Sequence, residues 1–333
     1  MNLITGGAGH LGNVLVKELI GRGERVRVLV LPGEETRSLN GLPIEILEGN
    51  ILDQNVLKRA MLDVDVVFHL AALVSITKGK EDLIHKVNVE GTRNVINTAR
   101  ASHVKKLIYT SSIHALERPP KGITIDESLA FDPDNPAGIY DRTKAKASIL
   151  IQQAAAEGLD ARIVCPTGVI GPFDYRRSEV GELVLSWMQK RMHFLIEGAF
   201  DFVDVRDVAI GQILARDHGA QGETYLLGGE RIELKFLRDL VQRVTGLRTP
   251  VITFPLPMAM ILAPAAELYY KMTKTKPKLT RYSIETVMSN SDISSTKAKT
   301  QLGYNPRSLS VSIVDTVNWW LENLSITRQA LRF

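Results

Sequence analysis

Short apolar runs alternate with stretches of helical period through the first half of the chain. Leu3-Ile4 leads into Asn13 to Ile20, and Val26 to Leu31 and Ile44 to Leu47 precede Gln54 to Met61. Val64 to Leu70 precedes Asp82 to Ala101, Leu107 to Thr110 precedes Tyr140 to Glu157, and Ala161 to Cys165 closes the series. Runs that are apolar on both faces and joined by helices predict a parallel sheet covered on both sides, a doubly wound α/β architecture. Ligands of such sheets sit at the carboxyl ends of the strands, so the residues after Ile4, Leu31, Leu47, Leu70, Thr110 and Cys165 should line one crevice. After Pro166 the rhythm gives way to glycine- and proline-rich connections, a helical stretch from Gly181 to Gln189, a strand over Phe202-Val203-Asp204-Val205 and a helix from Arg206 to Arg216. A helix-rich tail follows, ending near Trp319 and Trp320. The expected organisation is a large sheet domain over 1–165, with a return near 201–216, and a smaller domain over 166–333.

Composition narrows the partners. The chain has 333 residues, 44% of them hydrophobic, enough for a full core. Its formal charge of +4 comes from 41 basic and 37 acidic residues spread along the chain, with no basic stripe of the kind a nucleic acid requires. The single cysteine, Cys165, ends an apolar run and reads as an inert core thiol. No Cys/His cluster has zinc-ligand spacing, and His69, His85, His114 and His193 show none either, so no metal is expected. These features, and a start that runs straight into the first motif without room for a signal peptide, lead us to expect a cytoplasmic protein. Residues 251–266 are strongly apolar, but Pro255, Pro257 and Pro264 interrupt them, and the run is shorter than the roughly 20 residues that span a bilayer. A buried or pocket-lining segment is expected there, and no integral membrane span.

Thr5-Gly6-Gly7-Ala8-Gly9-His10-Leu11-Gly12 follows a short apolar strand and opens an amphipathic helix. In that context Gly6 serves the tight turn, Gly9 the close approach of a pyrophosphate and Gly12 the packing of helix on strand. The helix start offers unpaired N–H groups to an anion. The segment after the second strand, Leu31-Pro32-Gly33-Glu34-Glu35, carries neither an acid at the strand end for a ribose 2′-hydroxyl nor an arginine there for a 2′-phosphate. Glu34, Glu35 and Arg37 read as solvated loop charge.

The spacing Thr-Gly-x-x-Gly-x-x-Gly resembles that of the extended short-chain dehydrogenase/reductase family, which has a Rossmann-type α/β fold with a smaller C-terminal substrate-binding domain. The resemblance continues along nearly the whole chain. Asn50-Ile51-Leu52-Asp53 resembles the family's adenine-side segment, with Asn50 where aspartate is usual. Phe68-His69-Leu70-Ala71-Ala72 resembles the strand flanking the cofactor ribose, and Val87-Asn88-Val89-Glu90-Gly91-Thr92 the central helix with its supporting Asn88. Pro166-Thr167-Gly168-Val169-Ile170-Gly171-Pro172 resembles the segment at the nicotinamide end. Phe202 to Val208 and Leu302-Gly303-Tyr304-Asn305-Pro306 complete the pattern. The resemblance therefore implies NAD(P) held by Gly6, Gly9, His10, Leu11, Gly12, Asn50, Ile51, Leu70, Ala71, Ala72, Tyr140, Lys144, Pro166 and Val169, with NADP ahead of NAD. It also implies a homodimer through the helices at Asn88 to Ala101 and Tyr140 to Glu157.

Tyr140-Asp141-Arg142-Thr143-Lys144 places Tyr140 and Lys144 one helical turn apart on one face. A second Tyr-x-x-x-Lys, Tyr270 to Lys274, lacks the strand-end serine that Tyr109-Thr110-Ser111-Ser112 supplies before Tyr140. Reducing a carbonyl requires a proton at oxygen as hydride reaches carbon, and a free tyrosine of pKa about 10 is poorly matched to that task. Lys144 is expected to lower the Tyr140 pKa and, by resemblance, to hold the nicotinamide ribose. Ser112, favoured over Ser111 by the family pattern, is expected to orient the substrate oxygen, with Asn88 supporting the helix or a water relay. His114 and the segment Phe173-Asp174-Tyr175-Arg176 are expected to border the substrate, with an Arg176–Asp174 ion pair as the plainer reading of that arginine. The branch of the family containing dihydroflavonol reductases, aldehyde reductases and 3β-hydroxysteroid dehydrogenases fits best. The expected function is thus an NAD(P)-dependent oxidoreductase acting on an apolar aldehyde or ketone, a small-molecule substrate. The alternatives are a nucleotide-sugar epimerase/dehydratase and a non-catalytic dinucleotide sensor.

Overall fold

The computed structural model describes residues 1–74, 79–255, 258, 260–261 and 290–323. Its strands are β1 (Asn2–Thr5), β2 (Val26–Val30), β3 (Glu45–Glu48), β4 (Val66–His69), β5 (Lys106–Thr110), β6 (Ala161–Pro166), β7 (Gly168–Ile170), β8 (His193–Ile196), β9 (Ala199–Asp204), β10 (Thr224–Leu227), β11 (Glu230–Glu233) and β12 (Val251–Phe254). The helices used below are α1 (His10–Gly21), α2 (Gln54–Ala60), α3 (Glu81–His85), α4 (Gly91–Ala101), α5 (Ile139–Ala156), α6 (Glu179–Trp187), α7 (Val205–His218) and α8 (Leu234–Thr245), with a further helix at Leu309–Asn323.

Seven strands form one parallel sheet in the order β10-β6-β5-β4-β1-β2-β3. The order reverses between β1 and β4, and that switch point opens the crevice in which a doubly wound sheet binds its ligand. Successive strand residues face opposite sides, as the pleat requires. Leu3, Leu107 and Ile163 enter the core beneath α2, α4 and α5, while Ile4, Ile108 and Val164 enter the one beneath α1 and α7. Both faces are therefore dry, and this is the reason the strands read as unbroken apolar runs. β3 is the exception: it is an edge, and its outward Glu45 and exposed Ile46 mark where the sheet meets water.

The chain returns to the large sheet twice after Pro166. α7 packs against α1, and β10 pairs with β6 through Thr224↔Ile163. The sequence pattern did not single out β10, because four residues carry too little periodicity. The remaining segments build a three-stranded sheet, β11-β9-β7, and a two-stranded one, β12-β8, covered by α6, α8 and the Leu309–Asn323 helix. Trp320 is buried there, and Trp319 sets its ring edge against Phe173 and Tyr175. Of the apolar run at 251–266, the first four residues are β12, and most of the rest lies outside the described residues, as does the second Tyr-x-x-x-Lys at 270–274. Among the described residues no helix is long and apolar enough to cross a membrane.

Leu15 on α1 is fully buried in the core shared with α7. Leu15→Ala should lower unfolding free energy by about 2–5 kcal/mol, measured as a lower urea midpoint at unchanged slope.

Candidate active site

The phosphate cradle follows from backbone geometry. Gly6 has φ +76°, and a Cβ placed on it would lie 2.8 Å from the Ala71 nitrogen. A Cβ on Gly12 would lie 2.3 Å from the Gly6 carbonyl oxygen, so only glycine lets α1 come this close to the turn. Gly9 caps α1 without a side-chain hydrogen bond, and no acid stands in the first turn. The leading N–H groups and the positive end of the helix dipole are thus free of a protein anion, and the residues fit a dinucleotide pyrophosphate. Leu70, Ala71 and Ala72 run alongside: the Leu70 N–H donates to the Thr5 carbonyl (3.1 Å) and the Ala71 N–H to the Thr5 hydroxyl (3.3 Å). Asn50 closes its own turn by accepting from the Leu52 N–H, while Ile51 is buried against Gly91. Pro166 ends β6, and the half-buried Val169 lies in β7.

At the end of β5 the two serines part company. The Ser111 hydroxyl bonds that of Ser148 on α5 at 2.7 Å, whereas the Ser112 hydroxyl stands beside the Tyr140 phenol, favouring its ionised form, and accepts from the His114 N–H. Lys144 is only 3% exposed. Its Nζ donates to the Thr110 carbonyl (2.6 Å) and to the Tyr109 Oη (3.2 Å) and lies over the Tyr109 ring. Asn88 sits in a π-helical turn, Lys86–Glu90, that joins α3 to α4. Its amide takes the Leu73 N–H, returns a bond to the Leu73 carbonyl and donates to Thr143 on α5, fixing the loop after β4 against the helix that carries Tyr140.

The electrostatics differ from expectation. Burial pushes the Tyr140 phenol up to about 12, with the Ser112 hydroxyl pulling the other way. Lys144, expected to lower it, is itself pushed down to about 7 by burial and gives its bonds to Tyr109 and Thr110. Tyr140 therefore keeps its proton at neutral pH. Cys165, behind Ser111, is pushed up to about 12 by burial and is inert as a thiolate. His114 stacks on Phe200, with ring centroids 5.7 Å apart, and burial lowers it to about 4, so it is neutral above that pH.

Phe173, Tyr175 and Arg176 follow β7. Their segment crosses α1: the Pro172 carbonyl meets His10 Nε2 (2.9 Å), the Phe173 carbonyl accepts from Asn13 (3.1 Å), and Lys17 Nζ lies 4.1 Å over the Phe173 ring. Arg176 pairs with Glu34 at 2.6 Å rather than with Asp174, whose carboxylate accepts instead from the Ser178 N–H and hydroxyl. Glu34 is likewise no solvated loop charge: its side chain is 13% exposed and caps the Leu31 N–H at the end of β2. Glu35 and Arg37 do stand in solvent. The residues expected to border the substrate thus pack against α1 and Glu34, next to the glycine turn.

Three site residues escaped the sequence reading. Thr5, His69 and Tyr109 stand in register across β1, β4 and β5, forming one polar row at the strand ends. His69 bridges Thr5 (2.7 Å) and Thr92 (2.9 Å), is fully buried, and is lowered to about 3 by burial first and the Lys144 charge second. The available signal was the polar residue closing each of three neighbouring apolar runs.

The comparisons with known proteins agree with this geometry. The chain belongs to the NAD dependent epimerase/dehydratase family, which it matches over residues 2–228. It is 33% identical to sterol demethylase protein B of Methylococcus capsulatus, over 96% of this chain and 98% of the relative. It is 28% identical to a 4-hydroxy-2-methyl-3-oxo-4-farnesyl-3,4-dihydroquinoline-1-oxide ketoreductase of Stigmatella aurantiaca, over 91% of both chains. The crystal structure of gox2253 superposes with a TM-score of 0.85 at 31% identity, covering 97% of this chain and 98% of that one. The protein is an enzyme, an NAD(P)-dependent oxidoreductase of the extended short-chain dehydrogenase/reductase type.

Two outcomes follow from the geometry. Gly12→Ala should weaken dinucleotide binding by about tenfold or more in calorimetric titration, because the added methyl group forces α1 off the turn. Lys144 moves from 10.5 in its ordinary state to about 7 when folded. Between those values the unfolded chain holds the extra proton, so stability should rise with pH from about 7 to about 9, beyond which the buried phenol and thiol oppose it. Lys144→Met should flatten that rise in denaturant midpoints.

Proposed function

We propose that this enzyme interconverts an apolar aldehyde or ketone and its alcohol, with Tyr140 as the proton-transferring group. The observation that carries the reading is a half-buried phenol that keeps its proton, with Ser112 beside it at the strand end and the buried Lys144 one helical turn on along α5. When bound, the nicotinamide dinucleotide supplies or accepts the hydride. In the reducing direction Tyr140 gives its proton to the carbonyl oxygen as that oxygen gains charge, and Ser112 holds the oxygen within reach. The resulting phenolate is stabilised by the Ser112 hydroxyl and by the nearby Lys144 ammonium, then regains a proton from solvent. Asn88 keeps the loop after β4 and the Tyr140 helix in fixed relation. His114, neutral and stacked on Phe200, contributes an apolar wall next to Ser112.

The substrate class draws support from the ketoreductase relative, whose name specifies a farnesyl-bearing ketone. A binding-only sensor has no use for a lysine kept out of water at an energetic cost. For the cofactor, the Glu34 carboxylate held against the Leu31 N–H at the end of β2 supports NAD over the NADP implied by resemblance, since an acid there disfavours a 2′-phosphate.

Following nicotinamide absorbance with NADH or NADPH and a panel of apolar aldehydes and ketones tests this reading. Turnover should be faster with NADH, and Tyr140→Phe should lower kcat by about 10²-fold or more while dinucleotide binding persists. Equal turnover by wild type and Tyr140→Phe would overturn it.

A further inference from the structure

Lys144 carries the strictest requirement in the active site, since a lysine ammonium away from water must place its hydrogens on protein acceptors. The structure gives it two, the Thr110 carbonyl and the Tyr109 Oη. The first is backbone and belongs to any residue at that position. The second is a side chain, and it is not isolated: the Tyr109 ring lies against that of His69, with centroids 5.5 Å apart, and Thr92 stands beside its phenol. The Thr92 hydroxyl donates to the Asn88 carbonyl at 2.7 Å, so its oxygen is left to accept from its other neighbours. One of these is His69 Nε2 at 2.9 Å. With that nitrogen donating, Nδ1 accepts from the Thr5 hydroxyl at 2.7 Å, and the Thr5 oxygen takes the Ala71 N–H. Thr5 and Ala71 are walls of the phosphate cradle.

We infer that Tyr109 is a positioning residue of this enzyme: its phenol holds the Lys144 ammonium in place and links it, through Thr92 and His69, to the strand ends that form the dinucleotide cradle. The inference rests on the proposed reductase reading. Every side chain in this series is buried, so its polar groups rely on one another for partners. Removing the phenol oxygen leaves Lys144 with the Thr110 carbonyl alone and restores rotamer freedom to a long side chain. The loss falls on the turnover step in which the ammonium faces the Tyr140 phenolate, and not on recognition of the carbonyl compound, which Lys144 does not contact in this scheme.

The test compares Tyr109→Phe, Thr92→Val and the double variant by steady-state kinetics and thermal melting, with Tyr140→Phe alongside. Phenylalanine keeps the ring that lies under the ammonium, and valine keeps the shape of threonine. Tyr109→Phe should lower kcat by about tenfold with the KM for the carbonyl substrate within about twofold. Thr92→Val should lower kcat by about threefold, and the double variant should be no slower than Tyr109→Phe, because Thr92 acts through the phenol. A kcat for Tyr109→Phe within twofold of wild type overturns the inference, as do effects that multiply in the double variant or a lowered melting temperature with unchanged kcat. Should Tyr109→Phe fail to fold, Thr92→Val decides alone, and wild-type kcat in it overturns the inference. Turnover that survives Tyr140→Phe would instead remove the proton-transfer reading itself.

Discussion

The burial of one ammonium group organises the site. Lys144 lies on the inner face of α5 at 3% exposure, against the carboxyl end of β5, one strand away from the switch between β4 and β1. A charge in that position is tolerated only with acceptors at hand, and those acceptors are strand-end groups whose places are set by sheet register. The polar row Thr5, His69 and Tyr109 answers to this requirement, since Tyr109 supplies one of the two acceptors and His69 stands beside it in register. The apolar cores on either side of the sheet hold the row in place without contributing a polar group to it.

What could be read from the sequence was local. The glycine turn shows itself because strand, turn and helix are contiguous, and the doubly wound sheet shows itself because both faces of its strands are dry. Ser112 was separated from Ser111 by family pattern alone; that the Ser111 hydroxyl bonds Ser148 on α5 is visible only in the fold. What could not be read was long-range. Arg176 meets Glu34 across 142 residues of chain, and nothing near either residue announces the partner. His69 stood inside a recognised motif, but its role depends on Thr5 and Thr92, which only the folded sheet brings to it.

The Tyr140 pKa failed for a different reason. Spacing on a helix says that Lys144 is near Tyr140, but not how much water either retains. Burial raises the acid and lowers the base together, so the pair is less charged than proximity alone suggests. At neutral pH the phenol is therefore held in its protonated form.

The π-helical turn at Lys86–Glu90 has its own consequence. Such a turn holds one residue more than the α-helical turn it replaces, so the faces of α3 and α4 are rotated relative to each other although the helix axis continues. In evolutionary terms it is equivalent to a single-residue insertion. A descendant that lost one residue between Lys86 and Glu90 would keep a helix here, even a more regular one. It would bring a different side chain to the place where Asn88 now reaches both Leu73 and Thr143.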